Sequence, residues 1–454
     1  MERKYYSLSD AQRILFHSQK YAIYKQVNNI CTLVLVDTRL DFDILKKAIM
    51  KAYERNDSFR IRIVKVKGEM KQYFAEHEDP DIKFLDFTGK TREQMDKKLY
   101  RIARKKVTVY GKQMSKVYMI RSFDGKCGIY FVVSHLIMDS WAITTFFKDV
   151  LSIYQALSSG TDMPKPLTSY EELLIKELNY KNTRAYEDDI KFWRKNLDAG
   201  EPIFTHVNGS CVLERYRKKK KDPTIRYAKF FTLRTRANNV VFWVPKELVE
   251  KMSEYCTKNK VTMQSMVIMA FRSYYSKVNN REKDISFYTT VARRGTLAEK
   301  NSGGSRAHFY PFRTIFEEED TFKKACQVIS EKQTEVYRHA EVDPLKNLGI
   351  WKEMFNISHV ETYCAGTITF QPVNLSSGEF NVESKWYGNG TSAQPLYLTV
   401  MDGDGTGALK FYYEYQTRNI TLNTVRKLHS YMMKALKAAV ENDEITVGEV
   451  LDIE

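Results

Sequence analysis

Ser134-His135-Leu136-Ile137-Met138-Asp139-Ser140-Trp141 decides how this chain is read. The stretch before it, Cys127 to Val133 (CGIYFVV), is apolar almost without a break, which predicts a buried strand. After it, Ile143, Phe146, Phe147, Val150, Leu151 and Tyr154 recur at helical spacing and predict a helix over 143–157. A histidine therefore stands where a buried strand ends, and an aspartate where a helix begins. A strand end is a rigid mount, so an imidazole there meets a substrate with little reorganisation. Asp139 is placed to cap the helix and to accept a charged partner.

Outward from this block the pattern is mixed α and β. Ser9 to Lys20 predicts a helix opened by a serine cap, Ile30 to Asp37 a strand, and Asp41 to Arg55 an amphipathic helix. Phe59 to Val66 and Glu69 to Ala75 predict a hairpin across Lys67-Gly68, and Arg92 to Lys106 a basic helix. Between Gly200 and Asn238 periodicity fades and charge rises, which predicts a surface or crossing segment. Beyond it come a strand from Val240, helices over Lys246 to Lys258 and Thr262 to Val278, and a strand over Ile285 to Ala292. A helix over Glu319 to His339, strands from Leu396 and Leu409, and a helix over Leu422 to Glu441 complete the chain. No Rossmann glycine fingerprint follows any strand.

The chain has 454 residues, more than a single core usually holds, so two lobes are expected: 1–180 and 181–454. No apolar run is long enough to span a membrane and no secretory h-region opens the chain, so a cytoplasmic protein is expected. The six cysteines are scattered, with no C-x-x-C pair, and read as reduced, buried thiols. The net charge of +16 reads either as a soluble, charged surface or, more sharply, as a match for an acidic partner. Nucleic acid is a poor candidate, because zinc-finger spacing, an RNA-recognition motif and a phosphate-cradling loop are all missing. The densest basic run, Arg215 to Lys221 (RYRKKKK), reads as a solvated loop, with a docking patch as the alternative. No H-E-x-x-H, H-x-x-E-H or G-x-S-x-G motif occurs, which speaks against a metal site and a serine hydrolase.

The opening block resembles the His-His-x-x-x-Asp-Gly signature of the condensation domains of nonribosomal peptide synthetases. These belong to the chloramphenicol-acetyltransferase-like superfamily. The second histidine matches His135 and the aspartate Asp139, while Ser134 replaces the first histidine and Ser140 the glycine. Further matches run in family order: Ser9 to Leu15, Glu54 to Ile63, Lys191 to Leu197, Val240 to Tyr275, Phe287 to Arg293, Gly303 to Phe312 and Leu409 to Thr417. The resemblance implies an α/β (α+β) fold of two chloramphenicol-acetyltransferase-like lobes arranged as a V with a central channel. It implies transfer of an acyl or aminoacyl group from a carrier-protein thioester to an amine, with His135 as base or orienting group. Asp139 becomes a buried anchor paired with Arg293, with Arg294 as second choice, and Ser134 and Ser140 become channel lining.

No metal and no cofactor of the chain's own are implied, since substrates come on the 4'-phosphopantetheine of carrier proteins. No adenylation or carrier segment follows the last helix, so the carriers are expected from separate chains. A monomer without nucleic-acid or membrane partners is expected. Two other readings stay open. One is a catalytically degenerate domain that only docks carriers. The other is a transferase of the same fold that forms esters or uses a small free amine. Ser140 suits an ordinary helix start but not a backbone with positive φ. His17, His308 and His359 read as incidental.

Overall fold

A computed structural model describes residues 3–229, 232–375 and 380–454. The strand expected before His135 forms over Cys127–Ser134 and is buried at every position. It lies in the middle of a five-stranded sheet, between Asn29–Val36 and Ser115–Arg121, with Val382–Trp386 and Ile82–Asp86 at the edges. A strand so placed has both faces covered, which is why its sequence is continuously apolar rather than alternating. The helices Phe42–Arg55 and Ser140–Ser159 pack together against this core through Ala48, Ile49, Ala52, Phe146, Val150 and Ile153. The hairpin expected across Lys67-Gly68 forms between Ile61–Val66 and Glu69–Phe74.

These elements form one of two compact units. It comprises Met1–Thr183 and two later segments, Ala292–Ala307 and Val373–Thr391, both beyond the boundary read at residue 180. A short loop and an edge strand carry no local mark of partners a hundred or more residues away. The edge strand Val382–Trp386 pairs with Asn29–Val36, and that pairing was not legible from its own residues.

The second unit comprises Arg184–Val291, His308–Pro372 and Ser392–Glu454. Its six-stranded sheet runs His308–Ile315, Asp284–Val291, Thr367–Gln371, Leu396–Asp402, Leu409–Gln416, Ala237–Val244. Thr367–Gln371 is parallel to both neighbours and the other pairs are antiparallel. The helices Met263–Val278, Phe322–Arg338 and Leu422–Glu441 share one core with this sheet. The α/β class is therefore borne out.

Two expectations need correction. The segment 200–238 is not aperiodic throughout: Cys211–Lys220 is a helix, and of RYRKKKK the residues Arg215 to Lys220 form its C-terminal part, with Lys221 as its left-handed cap, rather than a loop. Only Leu213 of this helix is buried, so no apolar stripe announces it. Arginine and lysine are good helix formers, and cations near the C-terminus suit the helix dipole. Of the cysteines, Cys31, Cys127, Cys326 and Cys364 are buried, but Cys211, which opens that helix, is exposed. Among the described residues no helix is long and apolar enough to cross a membrane.

Candidate active site

The chain leaves the sheet in a tight turn. The Ile137 amide donates to the Ser134 carbonyl at 3.1 Å, and the Leu136 amide to Ser134 Oγ at 3.3 Å. Leu136, Ile137 and Met138 are fully buried and anchor the turn. His135 is the one partly exposed residue between 131 and 139. Its amide donates to the Asn28 carbonyl at 2.7 Å, so its backbone is fixed where the strand ends.

Burial favours the neutral imidazole. Burial lowers its pKa below the usual value, against the smaller upward pull of Asp139 and of a hydrogen bond to its own backbone carbonyl. Ser305 Oγ lies 3.3 Å from Nδ1 and holds that edge of the ring. The sequence reading missed Ser305. A serine in a loop carries no signal until the fold brings it to a histidine 170 positions away.

Asp139 caps the helix Ser140–Ser159, its carboxylate accepting the Ala142 amide at 2.8 Å. The amides of Arg306 and Ala307 donate to its second oxygen at 2.9 and 3.2 Å. Arg294 Nη2 reaches both oxygens, at 3.1 and 3.2 Å, and both side chains are buried. Burial alone would raise this carboxyl, but Arg294 and the backbone donors win and hold it below the usual carboxylate range. Arg294 also donates to the carbonyls of Glu299, Ser302, Gly303 and Gly304, so one guanidinium fixes the loop that carries Ser305.

The order expected for the two arginines is reversed. Asp139 is bound by Arg294, while the Arg293 guanidinium pairs with Glu177 at 3.2 Å. Glu177 also accepts the Asp10 amide at 2.9 Å. The reason is conformational. Arg293 is left-handed, φ 54°, and the turn sends neighbouring side chains to different carboxylates. No residue type in the sequence marks that turn, because arginine has no preference for it.

Ser134 is buried at the strand end, and Ser140 is the first residue of the helix and partly exposed. The backbone at Ser140 is helical, so serine fits where the signature has glycine. The glycine that matters lies elsewhere. Gly304 has φ 86°, and a Cβ there would stand 2.1 Å from the Tyr170 ring. Gly304→Ala is expected to destabilise by at least about 1–3 kcal/mol, read as a lower melting temperature.

The histidines read as incidental lie elsewhere. His17 is on the helix Asp10–Tyr21, His308 is buried with Nδ1 2.8 Å from the Tyr310 hydroxyl, and His359 is exposed beside Lys352. Among the described residues no cluster of His, Cys, Asp and Glu could hold a metal ion.

The family model of the condensation domain matches residues 2–452. One of the plipastatin synthase subunits of Bacillus subtilis (strain 168) is 19% identical over 99% of this chain, and 17% of its own length is covered. Surfactin synthase subunit 1 of the same organism is 22% identical over 99% of this chain and 12% of its own length. The chain thus spans less than a fifth of either relative. The first condensation domain of the calcium-dependent antibiotic synthetase, solved with a substrate analogue, superposes with a TM-score of 0.81. That match covers 98% of both chains at 14% identity and shows the fold. The chain belongs to the condensation-domain family.

Proposed function

We propose that the chain is a condensation-type acyltransferase that forms an amide bond in nonribosomal peptide or related natural-product assembly. Its donor is an acyl or aminoacyl thioester on the phosphopantetheine arm of a carrier protein, and its acceptor is an amine. The observation that carries this reading is the neutral, partly exposed His135 held at a strand end beside the Asp139–Arg294 pair.

The chemistry needs little else. The thioester is already activated, so the new C–N bond forms as the amine attacks the carbonyl carbon. The C–S bond then breaks. Nε2 of His135 accepts the proton lost by the amine and returns it to the departing sulfur. Positive charge on this chain, +16 in all, would speed encounter with acidic carriers while holding them loosely. A single copy of the chain suffices for this scheme, and the carriers act as separate partners.

The test supplies carriers loaded with different acyl and aminoacyl groups, together with amines, and follows product by intact mass. Amide formed only in the presence of the chain is the expected result. Carrier binding without product for any loaded donor would favour the docking reading, for which Ser134 in place of a histidine is the supporting departure.

A further inference from the structure

The peptides on either side of Ser305 are clamped within the first unit. The Gly303 and Gly304 carbonyls accept from Arg294 Nη2 at 3.2 and 3.0 Å. The Arg306 and Ala307 amides donate to one Asp139 oxygen at 2.9 and 3.2 Å. The Asp139 amide in turn donates to the Gly304 carbonyl at 3.3 Å. The Tyr170 ring fills the space where a Cβ of residue 304 would stand. That ring is fully buried at the start of the helix Tyr170–Tyr180, and Asp57 holds the helix end by accepting the Tyr170 amide at 2.9 Å and the Ser169 hydroxyl at 2.7 Å. Ser305 is therefore a fully buried side chain on a rigid mount, with its Oγ 3.3 Å from His135 Nδ1.

A partly exposed imidazole keeps two freedoms that a fixed backbone does not remove. The ring can turn about its Cβ–Cγ bond, and its one proton can sit on either nitrogen. Both matter to a proton acceptor, because the wrong tautomer presents an N–H where a lone pair is needed. The bond from the His135 amide to the Asn28 carbonyl fixes only the main chain. Asp139 acts on the ring through its charge. A hydroxyl can donate or accept. Held firmly against Nδ1, it makes one combination of ring plane and tautomer lower in energy than the others.

We propose that Ser305 is a positioning residue of the acyl transfer, its hydroxyl fixing the His135 ring in one orientation and one tautomer. It acts through the imidazole and not on the substrate. Its effect on rate rests on the acyl-transfer reading; the restraint on the ring does not. Proton uptake at Nε2 requires the form with its proton on Nδ1, and Ser305 Oγ is then the acceptor. That contact strengthens as the ring takes up charge, because a hydrogen bond from an imidazolium is worth more than one from a neutral ring. Ser305 thus favours the transition state over the bound substrate.

Ser305→Ala in the full chain is expected to lower kcat about ten- to a hundredfold, with KM, carrier binding and melting temperature unchanged. In a His135→Ala background the same change is expected to cost nothing further, because the group it acts on is gone. A merely structural role would lower both backgrounds alike. Long-range 1H–15N correlation spectra of histidine-labelled protein read the tautomer without substrate, with His135→Ala to assign the ring. Wild type is expected to show one tautomer and Ser305→Ala a mixture of two. Ser305→Cys keeps the bulk but is a weak hydrogen-bond partner, and it gives the same direction of change should the alanine variant fail to fold. Equal kcat in wild type and Ser305→Ala, a full further loss in the His135→Ala background, or unchanged ring signals overturns the proposal. One tautomer in wild type that is lost in Ser305→Ala, with no amide product from any loaded carrier, sinks the acyl-transfer reading and leaves the restraint on the ring standing.

Discussion

Replacing His135 with alanine is expected to lower turnover by about a hundred- to ten-thousand-fold, the usual worth of one positioned proton acceptor. Melting temperature and carrier binding are expected to stay at the wild-type values. The ring is partly exposed and its polar contacts are few, so its loss opens little core. The pH profile gives a second readout. The folded pKa of His135 lies below the usual histidine value, so the ring stays neutral further into acid. Once protonation of the free amine is allowed for, the His135 contribution to the acid limb of kcat/KM is expected below about pH 6.5, the reference value for histidine. An acid limb that is the same in wild type and the alanine variant, or full turnover in that variant, would remove His135 from the chemistry.

Asp139→Ala is expected to damage the fold rather than the chemical step. It strips the counter-charge from Arg294, whose side chain is fully buried, and leaves four donors facing a void. Breaking a buried pair from one side costs roughly 3–5 kcal/mol. At about 2–4 °C per kcal/mol for a unit of this size, the melting temperature falls by roughly 6–20 °C. Asp139→Ala/Arg294→Met removes both charges and is expected to recover part of the loss. The sign with pH follows from the lowered carboxyl. The stabilisation is present above the unfolded carboxylate value near about 3.9 and is lost as pH falls through the folded value. Soluble Asp139→Ala protein with a wild-type melting curve and no turnover would contradict this account.

The sequence made one half of this site legible and hid the other. His135 and Asp139 sit on regular elements whose periodicity marks their ends, so strand, turn and helix could be read from Cys127 onward. The helices starting at Asp41 and Thr262 were legible for the same reason, from their apolar faces, and both residues turn out to be their caps. Ser305, Glu177 and the choice of Arg294 over Arg293 were not. They depend on a left-handed arginine and on contacts that join positions more than a hundred residues apart. The basic helix Cys211–Lys220 escaped notice because an evenly polar helix has no stripe to read.

The order in which the first unit's parts are translated has a cost during synthesis. When Thr183 leaves the ribosome, Asp139 has been made but Arg294 has not, and the edge strand Val382–Trp386 is later still. Arg294 follows Asp139 by 155 residues, so at about 5–20 residues per second the carboxylate waits about 8–30 s for its partner. An expressed fragment that stops at Thr183 never receives it, and such a fragment will aggregate or stay unfolded however well its own strands are formed.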